Sequence, residues 1–321
     1  MMAEKRTQAL SNPFPNSDSN KRYYTYDYYL RRTFGGKCAK IPLDAGLSCP
    51  NIDRSPDGRG CIYCSARGSG DSVPEGLTLR EQYDAGRAAL SSKWDTSRCI
   101  AYLQAHTNTY APVCRLRAIY DEVLTFPGVV GMNIATRADC LPPDVCSLLA
   151  SVSERTHLTV ELGLQSSSDV TAERIRRGHT FAQFCEGFAR LRAAAPRAEI
   201  CVHLILGLPG EEEETMMQTV RDVAALHPEQ VKIHLLHVLR GTALAEEYLR
   251  GEYTPLEEAE YVSLVCRALT LLPPDTVIAR LTGDGMADDL LAPLWSRRKT
   301  CVINEIDKKL FSAGIFQGSA L

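Results

Sequence analysis

No stretch of the 321 residues approaches the roughly 18 consecutive apolar positions of a membrane-crossing helix, and the opening MMAEKRTQAL has no apolar core of a secretory leader. The chain is therefore expected in the cytoplasm, away from the bilayer. It also lacks a charge excess. Its 36 Lys and Arg against 39 Asp and Glu leave a formal net charge of -3, so nothing draws the whole molecule to nucleic acid, and only a local basic patch could do so. Low-complexity tracts and sequence repeats are absent, which excludes a solenoid. What is present is core material: 45% hydrophobic and 23% charged residues exclude wholesale disorder. The 12 cysteines are spread along a large chain without a leader, so they are expected to be mostly reduced, with some free to bind metal.

Residues 1–22 hold a turn-forming mix that includes Asn12, Pro13, Pro15, Asn16, Asp18 and Asn20, and are expected to fray. From residue 23 to 240 short apolar runs alternate with segments of helical periodicity. The strand candidates are Lys40–Leu47, Cys99–Ala105, Val129–Ala135, His157–Leu164, Glu199–Leu206 and Gln230–Val238. Between them Val113, Leu116, Tyr120 and Val123 form one apolar stripe, Phe181, Phe184, Phe188 and Leu191 another, and Met216, Val220 and Val223 a third. The acidic run Glu211 to Glu214 suits the positive end of that third helix. Such βα alternation predicts an α/β fold with a parallel sheet, a partial (β/α)6 barrel of TIM type. Residues 241–321 change pattern, with a helix over Leu256–Leu272, Pro273 and Pro274, and a strand near Val277–Leu281, and read as a C-terminal extension.

Chemistry concentrates in DAGLSCPNIDRSPDGRGCIYC, just after the first strand. Cys61 and Cys64 form the sole C-x-x-C pair, and a turn-rich spacer lets Cys49 fold back toward them. Barrel enzymes place their chemistry beyond the strand C-termini, where this loop falls. Three thiolates on a [4Fe-4S] cube would leave one iron open. A zinc site completed by Cys38 or another donor suits the same spacing, and spacing alone does not choose. Cys38 lies before the first strand and Cys49 beyond it, on the order of 20 Å away at 3.3 Å per residue.

Other polar residues stand in strands or at their ends. Gly207 and Gly210 bracket a βα turn after an apolar strand, a common place for glycine. Glu161 would be costly to bury without a partner, and Arg137 at the end of the neighbouring strand is a candidate. His203, Lys232 and His234 could face one barrel mouth or be satisfied core groups. Arg174, Arg176, Arg177 and His179 read as a solvated face or an anion contact. Tyr23, Tyr24, Tyr26, Tyr28 and Tyr29 are expected to cap the barrel bottom, with base stacking as the alternative.

Taken in order, YYTYDYYLRRTFGGKCAKIPLDAGLSCPN, GRGCIYC, YLQAHTNTYAP, IATRADCLP, ELGLQSS with RIRRGHT, HLILGLPGE, KIHLLHVLRGT and LAPLW resemble radical S-adenosylmethionine (SAM) enzymes of the YhcC-like family, related to the radical SAM portion of the Elongator catalytic subunit. The resemblance covers about residues 23–310. It implies a cluster on Cys49, Cys61 and Cys64, SAM on the open iron, and reductive cleavage to methionine and a 5′-deoxyadenosyl radical that abstracts hydrogen from an unidentified substrate. It also implies an electron donor such as flavodoxin or ferredoxin. The long gap from Cys49 to Cys61 departs from the commonest radical SAM spacing and resembles this branch. By the same resemblance, SAM contacts fall on Gln104 and Asn108, where many relatives carry Gly-Gly-Glu, and on Glu161, Gln165, Ser166, His203, Gly207, Gly210 and Lys232.

Overall fold

The computed structural model describes residues 12–55, 58–92, 94–283 and 288–321. Among the described residues nine strands form in chain order: β1 (Ala39–Leu43), β2 (Cys99–Leu103), β3 (Val129–Thr136), β4 (His157–Gln165), β5 (Glu199–Leu206), β6 (Gln230–Leu235), β7 (Val238–Leu239), β8 (Val277–Arg280) and β9 (Leu290–Ala292). All but β7 and β9 join one sheet of order β1-β2-β3-β4-β5-β6-β8, parallel throughout. The expected six strands are there, and a seventh, β8, comes from the segment read as an extension. Every residue of β2 is buried, as a strand covered on both faces must be.

The apolar stripes land where their spacing puts them. Leu116, Tyr120 and Val123 are buried on the helix Val113–Leu124, and Phe184, Phe188 and Leu191 on the helix Phe181–Ala194. That second helix is started by a capping box between Thr180 and Gln183. Gly187 lets it lie on the backbone of the short turn Ala138–Cys140, because a Cβ there would stand 2.1 Å from the Ala138 carbonyl oxygen. Gly187→Ala is therefore expected to lower the unfolding free energy by about 3 kcal/mol, read as a shifted urea midpoint. An unchanged midpoint would show that the helix can move away at no cost.

The sheet curls. In a flat sheet β1 and β4 would run roughly 14 Å apart, three interstrand steps, with parallel side chains that never meet. Here Lys40 Nζ on β1 stands 2.7 Å from Glu161 Oε1 on β4, so the inner face is concave. β1 and β8 end the sheet as two edges.

The helix Tyr26–Phe34 closes the lower end of this trough. Thr25 bridges to Ile278 of β8, and Tyr29 Oη donates to Glu199 Oε1 at 2.6 Å and lies 2.9 Å from His157 Nε2, at the N-terminal ends of β5 and β4. The tyrosines thus cap the barrel bottom. In residues 12–22, Phe14 is buried and Lys21 pairs with Asp307 of the helix Lys299–Ser312. Residues 1–11 lie outside the described residues. Among those described, no helix is long and apolar enough to cross a membrane.

Candidate active site

The loop after β1 is tied down by its apolar residue. Ile62, inside the C-x-x-C turn, is buried among Ile175, Ile205, Leu208 and Leu244; its N–H donates to the Ile175 carbonyl and its own carbonyl accepts from Leu244 N–H. Burial of that one side chain aims the flanking thiols inward. Cys49 precedes the short helix Pro50–Asp53 and meets Cys61 and Cys64 at the wall of one cavity of about 140 Å³. Among the described residues no three His, Cys, Asp or Glu side chains stand close enough to share a single metal ion.

Asn51 locks the loop to the segment after β4. Its Nδ2 donates to Cys61 Sγ at 3.1 Å and to the carbonyls of Arg176 and Arg177 at 3.0 and 2.7 Å. A Cβ at Gly178 would fall 2.4 Å from Asn51 Oδ1, so glycine is needed there. A hydrogen bond from Cys64, then the nearby Arg177, Asn51 and Arg137, draw the Cys61 thiol down to about 5 despite its burial. Donating that bond and being buried push Cys64 up.

Beneath the cavity sits a buried polar knot. Glu161 is 1% exposed and accepts from Lys40 Nζ at 2.7 Å, from Asn133 Nδ2 at 2.7 Å and from Lys232 Nζ, with His203 Nε2 2.9 Å from its Oε2. Burial alone would raise its carboxyl, but Lys232 and Lys40 hold it well below the usual range. Lys40 Nζ also lies 3.8 Å above the Tyr102 ring centre, and burial brings it down to about 7.

Arg137 is not the partner of Glu161. Ala135 is the residue of β3 beside Glu161, so Arg137 lies two residues further up, where it grips Asp139 at 2.8 and 2.9 Å and the Arg177 carbonyl at 2.9 Å. Arg177, read as part of a basic face, is buried and donates to the Gly163 carbonyl.

Of the residues assigned to SAM, Gln104, Glu161, Gln165 and His203 join the cysteines around the cavity. Gln165 has a left-handed backbone, φ 78°, at a bulge in β4, and its buried Oε1 has no hydrogen-bond partner among the described residues. Lys232 lies just below, on Glu161. The other four are elsewhere. Asn108 is fully buried and donates to the carbonyls of Leu103, Ala105 and Ala135, holding the β2 and β3 ends together. Ser166 donates to Glu211. Gly207 has φ 87° and faces Leu256, its carbonyl accepting from Tyr253 Oη at 2.8 Å, and Gly210 has open space beside it; neither lines the cavity. Lys40, Tyr102 and Asn133 escaped the sequence reading. The available signal was a lysine and an asparagine on alternating inward positions of apolar strands.

Burial holds His203, His179 and His237 down to about 4. Each stays neutral in the fold yet takes up a proton when unfolded, so stability is lost as pH falls below the free value near 6.5, completely at about 4. Going from pH 7 to pH 5 is expected to lower the unfolding free energy by on the order of 2 kcal/mol per histidine. Urea titrations of wild type and His237→Gln check this: a drop no smaller in the variant would refute His237's share.

Residues 58–223 match the radical SAM superfamily, and residues 228–312 match the radical SAM C-terminal domain. The uncharacterized protein YtqA of Bacillus subtilis is 44% identical over 309 residues, 96% of this chain and 95% of that one. Protein YhcC of Escherichia coli is 34% identical over 295 residues, 91% of this chain and 93% of its own. In fold, the archaeal Methanocaldococcus infernus Elp3 is similar with a TM-score of 0.65 at 18% identity, over 87% of this chain and 64% of that one.

Proposed function

Because the chain belongs to the radical SAM superfamily, in its YhcC-like branch, and is therefore an enzyme, we propose that Cys49, Cys61 and Cys64 hold a [4Fe-4S] cluster and that SAM binds between it and the strand ends. The observation that carries this reading is the cavity itself, which brings three cysteines from one loop together with Gln104 just after β2, Gln165 of β4 and His203 of β5. The donor set fits: three thiols face one space, and the buried Arg137 and Arg177 offset the negative charge that thiolates on a cluster would bring. When bound, such a cluster supplies the electron that breaks the C5′–S bond of SAM, giving methionine and a 5′-deoxyadenosyl radical that takes a hydrogen atom from substrate.

This chain's own part is to hold and to shield. Asn51 fixes the Cys61 sulfur, and the Ile62 anchor fixes the turn. Gln165 offers an unpartnered acceptor, Oε1, to a hydroxyl or ammonium donor of SAM. His203, kept neutral, is held by Glu161 at the cavity floor. The reductant on this reading is a small cytoplasmic electron carrier such as flavodoxin or ferredoxin.

Anaerobically purified protein should be brown. Once reduced, it should convert SAM to methionine and 5′-deoxyadenosine slowly even without substrate. A colourless, zinc-bearing preparation would refute the cluster. An intact, reduced cluster that yields no 5′-deoxyadenosine would refute the radical chemistry.

A further inference from the structure

Next to the cysteine-lined cavity, and sharing Tyr63, Cys64, Gln165 and His203 with it, lies a second cavity of about 550 Å³. Its far wall is made by the two edges of the sheet and by β6: Lys40 of β1, His234 of β6 and Arg280 of β8, followed by His237, Gly283 and Lys299. We infer that this cavity is the substrate chamber and that the substrate presents an anionic oxygen group, carboxylate or phosphate, to Lys40, His234 and Arg280. The inference rests on the reading of the smaller cavity as the cluster and SAM site.

Three observations converge. The first is charge. Among the described residues the lining carries Lys40, Arg280 and Lys299 but a single carboxylate, Asp71, which already accepts from Ser65 Oγ at 2.9 Å. A cationic substrate group would meet like charge here, and an anionic one would meet complementary charge.

The second is unmet hydrogen bonding. The Nε2 atoms of His234 and His237 are buried and have no hydrogen-bond partner among the described residues. A buried polar atom left in this way costs free energy, and a ligand oxygen that accepts from an Nε2–H removes the cost. Burial holds both rings neutral, so each can keep one N–H as a donor. The His203 and His234 rings lie 5.1 Å apart between centres, which puts this donor next to the floor of the smaller cavity.

The third is the state of Lys40. Its Nζ reaches Glu161, but that carboxylate also receives Lys232, Asn133 and His203, so one negative charge is shared among several donors. The Lys40 side chain is still 23% exposed, and it lines the chamber. An anion there would favour its charged form, which burial opposes. Gly283 completes the wall. A Cβ at this position would come 2.5 Å from His237 Cε1, so glycine lets the backbone close over that ring.

The test uses anaerobically purified wild-type protein labelled with ¹⁵N at histidine, titrated separately with inorganic phosphate and with acetate. Millimolar anion is expected to move the imidazole resonances of His234 and His237, assigned through His234→Gln and His237→Gln, while those of His157 and His227 stay in place. Arg280→Met should weaken the response at least about tenfold. A response to phosphate alone assigns a phosphate, a response to acetate alone assigns a carboxylate, and a response to both supports the shared chemistry. No movement of His234 and His237 in the wild-type protein overturns the proposal, and so does an undiminished response in folded Arg280→Met. Formation of 5′-deoxyadenosine by the same wild-type preparation separates the two readings. Product without an anion response refutes the chamber, whereas an anion response without product refutes the radical site.

Discussion

Replacing Cys49, Cys61 or Cys64 by Ala, one at a time, is expected to take anaerobically reconstituted protein from roughly four irons per chain to nearly none, with loss of its visible absorbance and of SAM cleavage. Cys38→Ala should leave all three readouts intact. The contrast is a matter of place: Cys38 is buried at the lower end of the sheet among Tyr29, Leu30, Ile100 and Val277, whereas the other three line the upper cavity. Iron and absorbance that survive in the triple Cys→Ala variant would sink the assignment. Loss of metal from Cys38→Ala alone would point instead to a four-thiolate zinc site.

Glu161→Ala is expected to lower the unfolding free energy by about 3–5 kcal/mol, because it leaves the buried Lys232 beside the part-exposed Lys40 with no carboxylate between them. Urea unfolding measures it, with loss of soluble protein as the extreme case. Replacing all three residues with apolar ones of similar size should recover most of the loss, because a buried ion network adds little net stability over good packing. A change below about 1 kcal/mol in the single variant would mean that water reaches the knot and solvates the lysines.

The fold was legible because its signals are local and repetitive. Val113, Leu116, Tyr120 and Val123 can share a face only in a helix, and the β5 candidate Glu199–Leu206 matches its observed bounds. The cysteine loop was legible for a similar reason, since its position after a strand sets its height. What stayed hidden depends on curvature. That Lys40 meets Glu161 across three strand steps cannot be read along the chain, and without it Arg137 is the nearer-seeming partner. Asn108 carries the opposite lesson. It sits in the right motif, but its amide nitrogen is taken by three backbone carbonyls, and a motif does not reveal which way an amide points. The strand β8 was seen as a strand but placed outside the barrel, because a long helical detour separates it from β6.

If the larger cavity takes the substrate, the two unjoined sheet edges bear on how bulky that substrate can be. A closed barrel admits only what fits down its axis. Here β1 and β8 do not pair with each other, and Lys40 on one of these edge strands and Arg280 on the other both line the larger cavity. On the reading of that cavity as the substrate chamber, its 550 Å³ bounds only the part of the substrate that it encloses, and the rest can lie outside the unclosed sheet.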